Sequence, residues 1–218
     1  PCTIHNALNH WPALSDRPWS LESLRAVIGH RWIPVEIGSK YTDDNWSQKV
    51  MLGRVFMDRY VFGLENIDKE SKPIAYLAQH NLFRQIPELY NDIATPDFCH
   101  MTDSDSDPTP SIWLGPAGTI SPLHTDPRHN IFTQIIGRKY IRLYAPTETE
   151  NVYPHIEKML QNTSQVDVES PDLEHHPKFK NAKYIECIVR PGDCLFIPKG
   201  WWHYVRSLDS SCSISFWF

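Results

Sequence analysis

His124 and Asp126 stand two residues apart in the segment Gly118-Thr-Ile-Ser-Pro-Leu-His124-Thr-Asp126. A second histidine, His203, closes Gly192-Asp-Cys-Leu-Phe-Ile-Pro198-Lys-Gly200-Trp-Trp-His203. On a strand, residues i and i+2 share a face, so His124 and Asp126 can project together into a barrel interior, with a third ligand arriving from another strand. The apolar, glycine-bounded run Cys194–Pro198 is the strand expected to deliver His203. Two imidazoles and one carboxylate on one face of a metal leave three positions open for a co-substrate and oxygen, the arrangement of non-haem iron(II) oxygenases. Zinc accepts the same ligand types and is the physical competitor. A His-x-Asp pair alone is weak evidence; embedded in two glycine-spaced segments it reads as a metal site.

The remaining histidines read as bystanders. His129, five residues past His124 and following Pro127, is taken as an exposed turn residue rather than a fourth ligand. His80 and His155 are read as satisfied structural histidines, and His175-His176, in the polar insertion, as residues without a catalytic part. Trp201-Trp202 are expected to pack beside the metal, where an apolar shell keeps stray water from the reaction.

The elements that must hold these groups are short. Ser20 is a good N-cap for a helix with Leu21, Leu24, Val27 and Ile28 on its apolar face and Gly29 as its stop. Trp32–Gly38 reads as a strand ended by glycine. Leu52–Val61 reads as a second amphipathic piece with Leu52, Val55, Phe56 and Tyr60 on one side, and Ile74–Ala78 as a strand. Residues 99–110, rich in Asp, Ser, Thr and Pro, form a loop that is a seam but not a domain boundary. From Ser111 the texture changes to strands punctuated by Gly and Pro: Ser111–Leu114, Asn130–Ile136, Lys139–Tyr144, Tyr184–Val189, Cys194–Ile197 and Ser213–Phe218. Such punctuation suggests a sandwich or barrel. Residues 146–183 are a polar, proline-containing insertion with no single assignable structure.

The chain has 218 residues, 41% hydrophobic and 12% aromatic, with a formal net charge of −5. That suffices for one well-cored domain, residues 1–218, in which 1–110 supply α/β elements that buttress a β core at 111–218. Lys178-Phe179-Lys180 with Lys183 is the densest basic stretch and reads as a solvated loop, so no direct nucleic-acid contact is expected. Acidic residues cluster at Asp43-Asp44 and at Asp103, Asp105 and Asp107, which suits a cationic peptide partner. Five cysteines, Cys2, Cys99, Cys187, Cys194 and Cys212, include no Cys-x-x-Cys pair, which argues against a disulfide framework and fits a reducing, intracellular setting. No apolar run reaches membrane-spanning length, and Pro-Cys-Thr-Ile-His at the start lacks a signal-peptide layout, so no membrane partner is expected and the chain reads as a fragment of a longer protein.

Both metal-bearing segments resemble the paired motifs of the cupin superfamily, whose members fold as a double-stranded β-helix, a jelly-roll barrel. Within it, His124-Thr-Asp126, Asn130, Lys139 and Gly-Trp-Trp-His203 resemble a Jumonji-C (JmjC) oxygenase. Val35-Glu-Ile-Gly-Ser, Tyr76-Leu-Ala-Gln-His, Gln85-Ile-Pro-Glu-Leu, Gly137-Arg-Lys-Tyr-Ile-Arg-Leu-Tyr, Asn162-Thr-Ser-Gln-Val-Asp-Val-Glu and Ser-Phe-Trp-Phe narrow the resemblance, over nearly the whole chain. The branch they resemble is described both as protein-arginine hydroxylases and as lysine-specific demethylases, and its members carry an additional N-terminal helical region.

The resemblance implies a mainly β fold with flanking helices, iron(II) as cofactor, and 2-oxoglutarate and dioxygen as co-substrates. It makes His124, Asp126 and His203 the iron ligands. 2-Oxoglutarate is a diacid, and its far carboxylate needs a cation. On strand evidence alone Lys139 faces water; the resemblance makes it the inward-facing anchor, with Arg138 and Arg142 as the alternatives if the strand faces the other way. Tyr76, Ser121 and Asn130 match positions that contact the co-substrate, and Trp217 one that lines its pocket. Glu36, Tyr41 and Trp113 match positions that hold a target arginine, with Gln79 as a weaker fourth. C-hydroxylation of an arginyl residue in a protein or peptide is therefore expected, in the nucleus or the cytoplasm. Demethylation of a histone methyl-lysine, or a metal-retaining binding module without turnover, are the competing readings.

Overall fold

The structure, a computed structural model, describes all residues except 39, 44, 65–73 and 102–106. Asp44, Asp103 and Asp105 of the acidic clusters, and Ser39 of one motif, thus lie outside the described residues. Twelve strands run through the described chain: β1 Cys2–Ile4, β2 Trp32–Ile37, β3 Ser47–Leu52, β4 Ala75–His80, β5 Thr109–Gly115, β6 Ile120–His124, β7 Asn130–Ile136, β8 Lys139–Tyr144, β9 Tyr184–Val189, β10 Cys194–Ile197, β11 Trp202–Ser207 and β12 Ser211–Trp217. They form an eight-stranded sheet, in the order β1-β10-β7-β12-β5-β4-β2-β3, and a four-stranded sheet, β6-β11-β8-β9. Every strand pair is antiparallel, and the two sheets make a cupin-like jelly roll.

Period-two alternation decides which residues face the barrel cavity. On the large sheet Tyr76, Trp113, Asn130, Phe132, Ser215 and Trp217 line the cavity. The alternate residues Leu77, Ile112, Leu114, Ile131, Ile214 and Phe216 face the other way and are buried too. What buries them is the first hundred residues: Trp11, Leu24, Ile28, Phe56, Phe83 and Leu89 belong to the same core cluster. The β2–β3–β4 strands join the large sheet through β5, so its hydrogen bonding runs across residue 110 without a break.

Helix α1, Leu21–Ile28, has the expected cap: Ser20 accepts from the Ser23 backbone N–H while the Ser23 hydroxyl accepts from that of Ser20. Two details differ from expectation. Val27 is exposed, the buried face being Leu24 and Ile28. Gly29 stays right-handed, at φ −56°, so it is no left-handed stop. The piece expected to begin at Leu52 is helical only from α2, Gly53–Phe56, and a π-turn at Met57–Val61. Leu52 ends β3 instead, and glycine is required at 53, where a Cβ would lie 2.2 Å from the Ile28 carbonyl oxygen.

Four strands, β1, β3, β6 and β11, had no counterpart in the periodicity. The insertion at 146–183 is ordered by side chains rather than by strands. Val152, Val166, Val168 and Phe179 pack on Leu123, Trp202 and Tyr204, the outward faces of β6 and β11. Lys178, Lys180 and Lys183 are exposed around buried Phe179. All five cysteines are free thiols, and no helix among the described residues is long and apolar enough to cross a membrane.

Candidate metal and co-substrate site

His124 ends β6, Asp126 lies two residues beyond the strand, and His203 is the second residue of β11. The strand expected to deliver His203, β10, belongs to the other sheet. β11 delivers it instead, pairing with β6 so that His203 stands directly opposite His124. The ring centroids are 4.1 Å apart. Asp126 Oδ1 lies 3.9 Å from His124 Nε2, and its Oδ2 lies 3.6 Å from His203 Nε2. Among the described residues this is the group of three donors placed to hold a metal ion, their ligand atoms all within 4.8 Å of one another.

Each imidazole is oriented by the carbonyl two residues before it. Pro122 O lies 2.7 Å from His124 Nδ1, and Trp201 O lies 3.0 Å from His203 Nδ1. A carbonyl can only accept, so it holds the proton on Nδ1 and leaves Nε2 of the neutral ring as a lone-pair donor. Burial, reinforced by His124, pushes His203 well below the ordinary histidine range and keeps it neutral. Burial pulls Asp126 upward, but attraction to the two imidazoles whenever they carry a proton, with the Trp217 N–H and Arg128, outweighs it and holds the carboxylate below its usual value. Two neutral imidazoles and one ionised carboxylate are the donor set that an iron(II) or zinc ion takes.

These groups open on a cavity of ≈ 440 Å³. Ser121 and His124 both line it although they are three apart, a spacing that puts residues of a regular strand on opposite faces. The β6–β11 register shifts between His203 and Val205, which face His124 and Ser121, so β6 carries one extra residue there. On β8, the neighbour of β11 in the same sheet, Lys139, Ile141 and Leu143 point inward, while Tyr140 and Arg142 point out. Lys139 is only 1% exposed, its Nζ donating to the Tyr76 hydroxyl at 2.8 Å. Burial pushes its ammonium down to about 7, and among the described residues no carboxylate pairs with it. Arg138 pairs with Asp209 at the surface and Arg142 with Glu186, so neither alternative anchor reaches the cavity.

Asn130 is buried with its Nδ2 on Ser215 Oγ at 3.3 Å and its Oδ1 without a hydrogen-bond partner. An unpaired buried oxygen and a buried ammonium lining one cavity are fixed polar fittings for a ligand with both donor and acceptor needs. Trp113 donates to the same Ser215 oxygen at 3.1 Å and packs between Tyr76 and Trp217. Trp217, expected only as a pocket wall, donates its Nε1–H to Asp126 Oδ2 at 3.0 Å.

The expected substrate residues gather on the same cavity. Glu36 of β2 faces it half-buried, its Oε2 accepting from Trp46 Nε1 at 3.4 Å, and burial raises its carboxyl. Tyr41 reaches Thr163 Oγ1 at 3.1 Å. Gln79 is exposed at the rim in a left-handed conformation, φ 49°. Contributors that residue type and spacing did not single out include Trp46, Phe132, Ser215, and the insertion's Asn162–Thr163, where Thr163 bridges to His124. Ser215 was findable, since it alternates with Trp217 on β12.

The bystander histidines need two corrections. His129 is not exposed: its ring packs against Phe196 and Phe218, and its Nδ1 accepts from the Lys199 N–H at 3.2 Å. His80 is not satisfied, its Nε2 being buried without a hydrogen-bond partner. Neither belongs to the candidate metal group. Trp202 is buried and donates to Thr149 Oγ1 at 3.0 Å, while Trp201 packs beside the inner cluster.

Residues 1–218 match the family model of a Cupin-like domain. The chain is 51% identical over 219 residues to lysine-specific demethylase 8 of Danio rerio, covering 100% of this chain and 53% of that protein. To Jumonji C domain-containing protein 5 of Drosophila melanogaster it is 46% identical over 221 residues, covering 100% and 54%. To a bifunctional peptidase and (3S)-lysyl hydroxylase of Homo sapiens it is 26% identical over 253 residues, covering 100% and 77%. The chain spans about half the length of the first two relatives.

Proposed function

The chain belongs to the cupin-like JmjC family, and from that premise we propose that it is an iron(II)- and 2-oxoglutarate-dependent oxygenase that hydroxylates a carbon of an arginyl residue in a protein substrate. The observation that carries the reading is Lys139. A buried ammonium that no carboxylate among the described residues pairs with is costly, and this one shares its cavity with the His124–Asp126–His203 group and the unpaired Asn130 oxygen. A metal-retaining binding module has no need of such a fitting.

His124, Asp126 and His203 would hold the iron. Bound there with 2-oxoglutarate and dioxygen, iron(II) couples oxidative decarboxylation of the 2-oxo acid, to succinate and carbon dioxide, with hydroxylation of a C–H bond. Lys139, with the Tyr76 hydroxyl, takes the far carboxylate, and the Asn130 and Ser121 side chains orient the acid. Trp113, Trp217 and Phe132 wall the cavity and exclude water. Glu36 meets the guanidinium at the mouth, and the Tyr41 and Trp113 rings flank it. The five free thiols suit an intracellular site, and a nuclear one fits the relatives named demethylases.

Demethylation of methyl-lysine by the same residues is the second reading, favoured by the names of the relatives. The two differ in which carbon is presented: hydroxylation of an N-methyl group ends in its loss, whereas an ordinary side-chain carbon keeps the alcohol. Mass spectrometry of arginine and methyl-lysine peptides after incubation with iron(II) and 2-oxoglutarate separates them. The proposal expects a gain of one oxygen on arginine; loss of methyl from lysine with no gain on arginine would overturn it.

Lys139→Ala is expected to raise the 2-oxoglutarate requirement by at least about tenfold, since a charge-assisted contact is worth roughly 1.5–3 kcal/mol. Arg138→Ala, which removes only an exposed ion pair, should change it little. A pH dependence accompanies this. Burial pulls Lys139 down to about 7, and a carboxylate on it stabilises the charged form and raises it again. Binding therefore takes up a proton above pH 7. The 2-oxoglutarate requirement should be flat below that pH and climb by up to about tenfold per unit above it, with the climb absent in Lys139→Ala. Steady-state kinetics at several pH values measures both.

A further inference from the structure

Asp126 is the one member of the metal group that no strand holds. β6 ends at His124, and Thr125 to His129 run outside regular structure. A side chain on such a segment takes its direction from contacts made elsewhere, and here those contacts come from three distant segments. The 146–183 insertion holds Thr125, whose N–H donates to the Asn162 carbonyl at 2.8 Å and whose carbonyl accepts from Asn162 Nδ2 at 3.1 Å. The segment after β10 supplies the Gly200 N–H, which donates to the Asp126 carbonyl at 3.0 Å, and the Lys199 N–H on His129 Nδ1. The end of β12 supplies the rest. Phe218 and His129 exchange both backbone hydrogen bonds at 3.1 Å, their rings pack at 5.6 Å, and Trp217 Nε1 donates to Asp126 Oδ2 at 3.0 Å.

We infer that Trp217 is a positioning residue for the metal: its indole N–H holds one oxygen of Asp126, so that the carboxylate meets the ion in a fixed orientation and as a one-oxygen ligand. An indole can only donate, and Trp217 is 6% exposed, so its N–H needs a buried acceptor. A carboxylate that gives one oxygen to a fixed donor has a restricted rotamer and less capacity to chelate through both oxygens. Partners of this kind, one step back from the metal, typically change metal affinity by about 10–100-fold when removed. The neighbouring Trp113 shows the contrast, since its N–H goes to Ser215, not to a member of the metal group. Trp217 thus ties the wall of the co-substrate pocket to the metal ligand, a link that a purely wall-forming tryptophan would lack.

The inference rests on the metal-site reading above and is tested without turnover. Mn(II) affinity, read by electron paramagnetic resonance of the free ion in the absence of 2-oxoglutarate, is expected to fall at least about tenfold in Trp217→Phe. Trp113→Phe should stay within about twofold of the parent. The Co(II) form of Trp217→Phe should show a visible spectrum moved toward higher coordination number, which a change in wall packing alone would not produce. Equal losses in the two variants, or unchanged Mn(II) affinity in Trp217→Phe, overturn the inference. Should Trp217→Phe fail to fold, the parent protein labelled with 15N-tryptophan decides. The Trp217 indole N–H resonance should move on addition of diamagnetic Zn(II), and an unmoved resonance overturns the inference as well. A parent protein that binds none of these ions sinks the metal-site reading itself, a different outcome from ion binding that is indifferent to Trp217.

Discussion

His203→Ala is expected to abolish peptide-dependent succinate formation while leaving a folded domain. His203 is held by the Trp201 carbonyl on one side and stands 3.6 Å from Asp126 on the other. Removing it takes away one of three donors, and no other histidine or carboxylate among the described residues stands ready to replace it. The β11 backbone, paired on both sides by β6 and β8, does not depend on the ring, so thermal unfolding should stay cooperative. Metal binding to the parent protein should also weaken at acid pH, because a ligand imidazole must be neutral. The sign follows from burial, which depresses the His203 pKa, so the neutral ring persists below the pH at which a free histidine protonates. Full turnover by His203→Ala at saturating iron would remove the assignment.

Glu36→Ala is expected to cut peptide-dependent turnover by well over an order of magnitude and leave 2-oxoglutarate use without peptide intact. Glu36 faces the cavity half-buried, held by the Trp46 N–H, and lies on β2, whereas the metal group lies on the small sheet and the turn after it. Truncating one partner of a desolvated charge pair costs about 2–5 kcal/mol, much of it the penalty on the charge left behind. Peptide-free decarboxylation needs the three donors, Lys139 and Asn130, whereas the Glu36 carboxylate is held by Trp46 and Gln48, and its strand neighbour Tyr76 keeps its backbone pairing in the variant. The matching test changes the substrate. A peptide with lysine in place of the target arginine keeps the charge but loses the planar fork, and should be a poor substrate. If Glu36→Ala turns over an arginine peptide as fast as the parent, the carboxylate is a strand-end residue and the guanidinium is bound elsewhere.

Local pattern carried much of the architecture. Alternation and glycine punctuation marked β7, β8, β9 and β10 to the residue, and a capping serine marked the start of α1, because period and caps are properties of neighbouring residues. His124, Asp126 and His203 were legible as a group because their residue types and glycine-spaced settings are unusual together. The strand bringing His203 was not legible. β10 is apolar and precedes it, yet β10 pairs with β7, and only the pairing of β11 with β6 and β8 brings His203 opposite His124.

The face shown by Lys139 lay between the two cases. Lys139 and Arg138 are neighbours with the same charge, and within the strand Ile141 and Leu143 favour one inward parity while Tyr140 and Tyr144 blur it. Sheet pairing decides it, by placing Ile141 and Leu143 on the apolar side and Lys139 with them. The bulge that turns Ser121 and His124 to one cavity, the wrapping of 146–183 over β6 and β11, and the reach of Trp217 to Asp126 are further cases. Each joins residues far apart in the chain, Trp217 and Asp126 by 91 positions. The residue types that can bind a metal, an acid and a cation were written locally in the sequence. Their common direction came only from long-range strand pairing and packing, which no window of neighbouring residues contains.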